Sequence, residues 1–145
     1  MIIEIANTTK LKIPNKKIFE WMAFFEKKIS KIYRENKEKT LTIVFVSPRR
    51  IKHLNKMYRK KNQPTDVLSF QGTYPQHFGD LILCPQVIKK QAKEHGLSFN
   101  LELAYMILHG ILHLLGYEHE SNAKKAKTMF KLQDKIFQGI LQKWD

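Results

Sequence analysis

Apolar and polar residues alternate along this chain with two different periods, and the points where one period yields to the other divide it into elements. Ile2 to Ala6 sets Glu4 among apolar neighbours and predicts a short first strand. Pro14 then opens a helix in which Ile18, Trp21, Met22, Phe25, Ile29 and Ile32 recur every three or four residues, while Lys16, Lys17, Lys27, Lys28 and Lys31 mostly take the other face. Leu41 to Val46 is rich in β-branched residues and reads as a second strand. It ends at Ser47-Pro48, an N-cap followed by a favoured first helical residue, so a short helix is expected to about Tyr58. The polar run Arg59 to Asp66, with Pro64, is a loop leading to a third strand over Val67 to Phe70. Gly72 to Gly79 connects it to a fourth, Leu81 to Cys84, which Pro85 stops. The remainder follows the helical period: Gln86 to His95, Asn100 to Leu115 and, after a turn at Gly116 to Asn122, Ala123 to Trp144.

Strands and helices are mixed without regular βαβ alternation. The pattern predicts an α+β fold, a small mixed four-stranded sheet with helices packed mainly on one face. A chain of 145 residues with no internal repeat and no Gly/Ser linker is expected to form a single domain over residues 1–145.

Composition narrows the class. Hydrophobic residues make up 43% and aromatics 11%, which a disordered chain does not carry, so the lysine runs decorate a folded body. Cys84 is alone, cannot form an intramolecular disulfide, and fits a reducing compartment. The amino terminus has neither a basic leader nor a long apolar stretch, and the most apolar segment, Leu101 to Tyr117, is interrupted by two histidines. That segment suits a buried core helix better than a membrane span, so a cytoplasmic, monomeric protein without membrane contact is expected. Lys and Arg outnumber Asp and Glu by 26 to 13, a formal charge of +13. Such a chain attracts polyanions, nucleic acid first among them, although lysine on every solvated helix face would give the same count.

The chemistry is concentrated in His109-Gly110-Ile111-Leu112-His113-Leu114-Leu115-Gly116-Tyr117-Glu118-His119. On a helix, His109 and His113 stand about 6 Å apart along the axis on one face, so both imidazoles reach one ion. Gly116 can take the left-handed conformation that ends a helix, turning the chain so that His119 arrives at the same point. Three neutral imidazoles leave an open position for water, as in catalytic zinc sites, and one Zn²⁺ per chain is expected, with other divalent ions able to use the same ligands. A single histidine on an apolar helix is more often a hydrogen-bonded core residue. Three at this spacing would each need a separate partner in one buried patch, and a shared metal is simpler. His53, His77 and His95 read as surface residues. The spacing is that of the extended zinc protease motif, but those enzymes carry a glutamate after the first histidine as general base, and here that position is Gly110. Peptide hydrolysis by that route is therefore disfavoured. Gly110 is expected instead to allow close helix packing or to leave room for a bulky substrate.

The histidine block, together with Leu54-Asn55, Tyr58-Arg59, Thr65-Asp66-Val67-Leu68-Ser69-Phe70 and Gly79-Asp80-Leu81, resembles the YbeY family of bacterial endoribonucleases and rRNA maturation factors. The resemblance spans most of the chain. It implies a zincin-like α+β fold, zinc on His109, His113 and His119, and cleavage of single-stranded RNA in ribosomal RNA maturation and ribosome quality control, with the small ribosomal subunit as partner. It also implies a functional role for Arg59, whose guanidinium suits a phosphate and whose spacing equally allows a salt bridge to Asp66. Two departures stand out: Glu118 where the family usually has aspartate, and Gln133 where a glutamate is common. Asp66, Asp80 and Glu118 are candidates for orienting the histidines through their remaining ring protons, or for capping turns. Arg49, Arg50, Lys60 and Lys61, with Lys52 and Lys56, form a basic strip suited to RNA, and Tyr58 is placed to stack a base or to pack.

The leading expectation is a zinc-dependent endoribonuclease. The alternatives are a non-catalytic ribosome-associated RNA-binding factor braced by a structural ion, motivated by the missing glutamate, and a hydrolase of a small phosphate ester or amide.

Overall fold

A computed structural model describes residues 1–117 and 123–144. Four strands, β1 (Ile2–Asn7), β2 (Thr40–Phe45), β3 (Val67–Gln71) and β4 (His77–Leu83), form one sheet in the order β1-β2-β4-β3. The first three in that order run parallel, and β3 pairs antiparallel with β4 as an edge strand. Among the described residues there are also six helices: α1 (Asn15–Lys28), α2 (Ser30–Asn36), α3 (Pro48–Arg59), α4 (Pro85–His95), α5 (Phe99–Leu114) and α6 (Ala123–Trp144). The α+β class and the four-stranded mixed sheet agree with the expectation.

Strand alternation assigns the faces. Leu41, Ile43 and Phe45 of β2, with Leu81 and Leu83 of β4, point into the larger core, where they meet Trp21 and Phe25 of α1, Ile88 of α4, α5 and Met129 and Ile140 of α6. Val44 and Ile82, one residue out of phase, turn to the opposite face, which α3 covers with Ile51 and Leu54. Helices thus lie mainly on one face, while α3 covers the other, joined there by Val87 at the start of α4. α5 is the central helix of the large core. Of its residues from Leu101 to Leu114, all are buried except Tyr105, His109 and His113, a single stripe at four-residue spacing.

Two boundaries differ from the sequence expectation. The first helix is broken at Ile29, whose non-helical backbone separates α1 from α2. Phe25 and Ile32 are buried on either side of the break and Ile29 is buried at it, so the apolar stripe runs straight through and periodicity does not register the interruption. The fourth strand starts at His77, not Leu81, which leaves only Gly72 to Gln76 as the connection. His77, Gly79 and Asp80 look unlike a strand. Gly79 is nonetheless required there, because a Cβ would lie 2.7 Å from the Phe70 carbonyl oxygen and 2.9 Å from the Leu114 methyls.

One buried carboxylate links two helices. Glu102, in the first turn of α5 with 2% of its side chain exposed, accepts hydrogen bonds of 2.9 and 3.1 Å from Nδ1 of His95 at the end of α4. His95 was expected to be a plain surface residue, and it is half exposed, yet it partners a buried charge. The hydrogen bond and the charge of Glu102 raise the His95 pKa above its ordinary value. A raised pKa means the pair stabilises the fold fully below the ordinary histidine range and loses that contribution as pH climbs through the raised value. We expect His95→Gln to lower the urea midpoint at pH 6 and to leave it close to wild type at pH 9. An equal loss at both values would show that the pair is not ionic.

Candidate metal centre

The site is built on the stripe that α5 leaves uncovered. Helix geometry places His109 and His113 one turn apart, and their rings, with centroids 4.6 Å apart at 72° to one another, turn their Nε2 atoms toward a common point. The two Nε2 atoms are 3.2 Å apart. Two imidazoles on one tetrahedral zinc, with zinc–nitrogen lengths of roughly 2.0–2.1 Å, would have their nitrogens about 3.3 Å apart. The separation of the pair therefore fits a shared ion. Among the described residues no cluster of three or more metal-ligating side chains occurs. His119, the expected third ligand, and Glu118, a candidate orienting group, lie outside the described residues.

The turn that follows has the form its glycine suggests. Gly116 has φ +97°, its N–H bonds the His113 carbonyl at 2.9 Å, and the Tyr117 N–H bonds the Leu112 carbonyl at 3.0 Å. That crossed pair is a Schellman motif, which satisfies the last carbonyls of α5 and reverses the chain at Gly116.

Gly110 faces the sheet. A Cβ there would come within 2.6 Å of a Leu81 methyl, so the missing side chain lets α5 lie against β4. Of the two roles considered for it, close packing is the one observed, and the position occupied by the protease base is filled by hydrophobic contact.

Behind the imidazoles stands a residue whose role the sequence did not reveal. Gln133 of α6 is fully buried, and its Oε1 accepts a 3.0 Å hydrogen bond from His109 Nδ1. The available signal was a polar residue on the apolar stripe of Met129, Ile136, Phe137 and Ile140.

Asp66 and Asp80, two of the carboxylates proposed as orienting groups, bond elsewhere. Asp66 caps the entry to β3, accepting from the Val67 N–H at 2.7 Å and from Thr65 Oγ1 and Gln91 Nε2 at 3.2 Å each. This is the turn-capping alternative. Asp80 is 2.9 Å from His77 Nε2. Because the Thr73 N–H donates to His77 Nδ1, the His77 proton sits on Nε2 and goes to Asp80, which braces the β3–β4 hairpin.

Arg59 ends α3 and reaches the free edge of the sheet. Its Nη2 donates to the Ser69 carbonyl at 2.8 Å, and the guanidinium lies 5.1 Å from the Phe70 ring centroid, against which Tyr58 packs edge-on at 5.3 Å. The salt bridge to Asp66 that the spacing also allowed does not form among the described residues. Further along β3, Gln71 Nε2 donates to the Leu114 carbonyl at 3.1 Å, next to His113. The edge strand thus connects Arg59 to the end of α5. Arg49, Arg50, Lys52, Lys56, Lys60 and Lys61 are all exposed, with no acidic residue between Pro48 and Lys61 to offset them. Lys60 itself adopts a left-handed φ of 60°, closing α3 where a glycine is usual.

Comparison with known proteins places this arrangement. The sequence profile of the family described as Endoribonuclease YbeY matches residues 4–141. A Bdellovibrio bacteriovorus protein named Endoribonuclease YbeY is 44% identical over 146 residues, covering 99% of this chain and 97% of that protein. One of the same name from a Sulfurihydrogenibium species is 44% identical over 120 residues, covering 79% of this chain and 78% of that protein. Among solved structures, the solution structure of TM1509 from Thermotoga maritima superposes with a TM-score of 0.68 at 31% identity, covering 99% of this chain and 91% of that one. With a profile match over nearly the whole length and relatives this similar, the chain belongs to the Endoribonuclease YbeY family.

Proposed function

We propose that this protein is a zinc-dependent endoribonuclease that cuts single-stranded RNA during ribosomal RNA maturation and ribosome quality control, acting on the small subunit in the cytoplasm. The observation that carries the reading is the pair of Nε2 atoms 3.2 Å apart on a core helix, in a chain whose family is named for RNA cleavage. His109 and His113, with His119, would hold the ion. When bound, zinc supplies a Lewis acid for a phosphate oxygen and lowers the pKa of water toward neutrality.

The chain's own residues supply the rest. Arg59 directs two N–H groups at the Tyr58 and Ser69 carbonyls, which fixes the guanidinium on the sheet edge and leaves the others of its five donors for a phosphate. A cation held in place beforehand can offset charge that develops on the phosphate. The exposed basic face of α3 holds the RNA backbone by counterion release, and the half-exposed Tyr58 offers a ring to an unpaired base.

The test is cleavage of an end-labelled single-stranded RNA by zinc-loaded protein, by protein treated with a chelator, and by treated protein given zinc again. Cutting should vanish in the second arm and return in the third, and a duplex of the same sequence should be cut more slowly. Cutting that ignores the chelator would sink zinc dependence, and intact RNA in every arm would sink the nuclease reading.

A further inference from the structure

Gln133 is fully buried on the apolar face of α6, where its amide meets two polar groups of α5. A hydrogen bond with Gln133 favours the charged form of the Tyr105 phenol, although burial outweighs it and raises that pKa. The oxygen of the same amide accepts from the Nδ1 of His109 at 3.0 Å. A polar residue in this apolar stripe is accounted for by the two groups it touches.

A neutral imidazole carries one proton, and a carbonyl oxygen at Nδ1 decides which nitrogen holds it. With the proton on Nδ1, the lone pair lies on Nε2, the atom that faces His113 Nε2 at 3.2 Å. Without the acceptor, the proton can move to Nε2, and the lone pair leaves the point where the two rings converge. A carboxylate at this position would do the same job and add a buried negative charge; the amide orients the ring while remaining neutral.

We infer that Gln133 is a positioning residue, whose side-chain oxygen holds His109 as the Nδ1–H tautomer and thereby leaves its Nε2 as the acceptor that faces His113 Nε2. The inference rests on the metal-site reading above for its consequence, but not for the tautomer, which belongs to the metal-free protein.

Three measurements on wild type, Gln133→Met and Gln133→Glu test it: imidazole tautomer by ¹⁵N NMR without metal, zinc affinity by competition with a chromophoric chelator, and the urea midpoint. Wild type should show His109 protonated on Nδ1. Gln133→Met should populate the other tautomer and bind zinc about 10–100-fold more weakly, the usual effect of losing the hydrogen-bond partner behind a metal-binding histidine. Its urea midpoint, read alongside, separates a change of tautomer from a change in folding. Gln133→Glu, which keeps the acceptor, should retain the wild-type tautomer and zinc affinity. Wild-type tautomer and affinity in the methionine variant would overturn the inference, as would a methionine variant that merely loses stability. If wild type takes up no zinc at all, the metal reading fails alone, and the tautomer measurement still decides the role of Gln133.

Discussion

Replacing His113 with alanine is expected to abolish RNA cleavage and to weaken zinc binding by more than the roughly 10–100-fold that loss of a supporting hydrogen bond costs, while the protein stays folded. The reasoning is geometric. His113 is one of only three partly exposed residues between Leu101 and Leu114, and the buried remainder of α5 holds the helix in the core without it. His109→Ala should match it in zinc affinity but also strand the buried Gln133 amide, so this second variant should be the less stable of the two. Calorimetric zinc titration with a parallel urea melt separates the two effects. Undiminished zinc binding by His113→Ala would remove the site from this helix.

Arg59→Ala is expected to reduce cleavage of single-stranded RNA on the order of 10²–10³-fold, the scale on which loss of one fixed donor to developing charge is felt. Stability should change little, because the side chain is exposed and its hydrogen bonds go to carbonyls at a sheet edge open to water. Arg59→Lys should not rescue: an ammonium cannot keep one hand on the Ser69 carbonyl and offer a paired grip to a phosphate. Single-turnover rates at saturating RNA isolate this effect from binding. A defect confined to RNA affinity, with the cleavage rate intact, would reassign Arg59 to the basic strip of α3.

His113 and Arg59 were visible in the sequence for different reasons, the histidine through its spacing and the arginine through the family resemblance. His109 and His113 declare themselves because helical spacing is local, and Gly116 marks the helix end because few other residues tolerate its φ. Helix α3 was equally legible, since Ser47 caps it through a 3.2 Å bond to the Arg50 N–H just ahead of the apolar contacts of Ile51. What the sequence withheld depends on contacts between distant segments. His77 to Asp80 becomes strand because Leu114 occupies the space over Gly79, a neighbour that no local window contains. The break at Ile29 leaves the hydrophobic period undisturbed. Gln133 stood out only as a departure from the family's usual glutamate, and its partner lies 24 residues away on another helix. Asp66 and Asp80 had residue types suited to several jobs, and only position shows that one caps a strand and the other steadies a hairpin.

The way α5 is seated in the hydrophobic interior also sets the order in which this protein can be assembled. Apolar neighbours on nearly every side fix that helix, and with it the two imidazoles, as the chain folds. An ion taken up by the proposed site would therefore spend little of its binding energy on organising protein, unlike the ion of a zinc finger, which must fold its own host. Its capture and release would be reversible events on a finished scaffold, governed by supply in the cell.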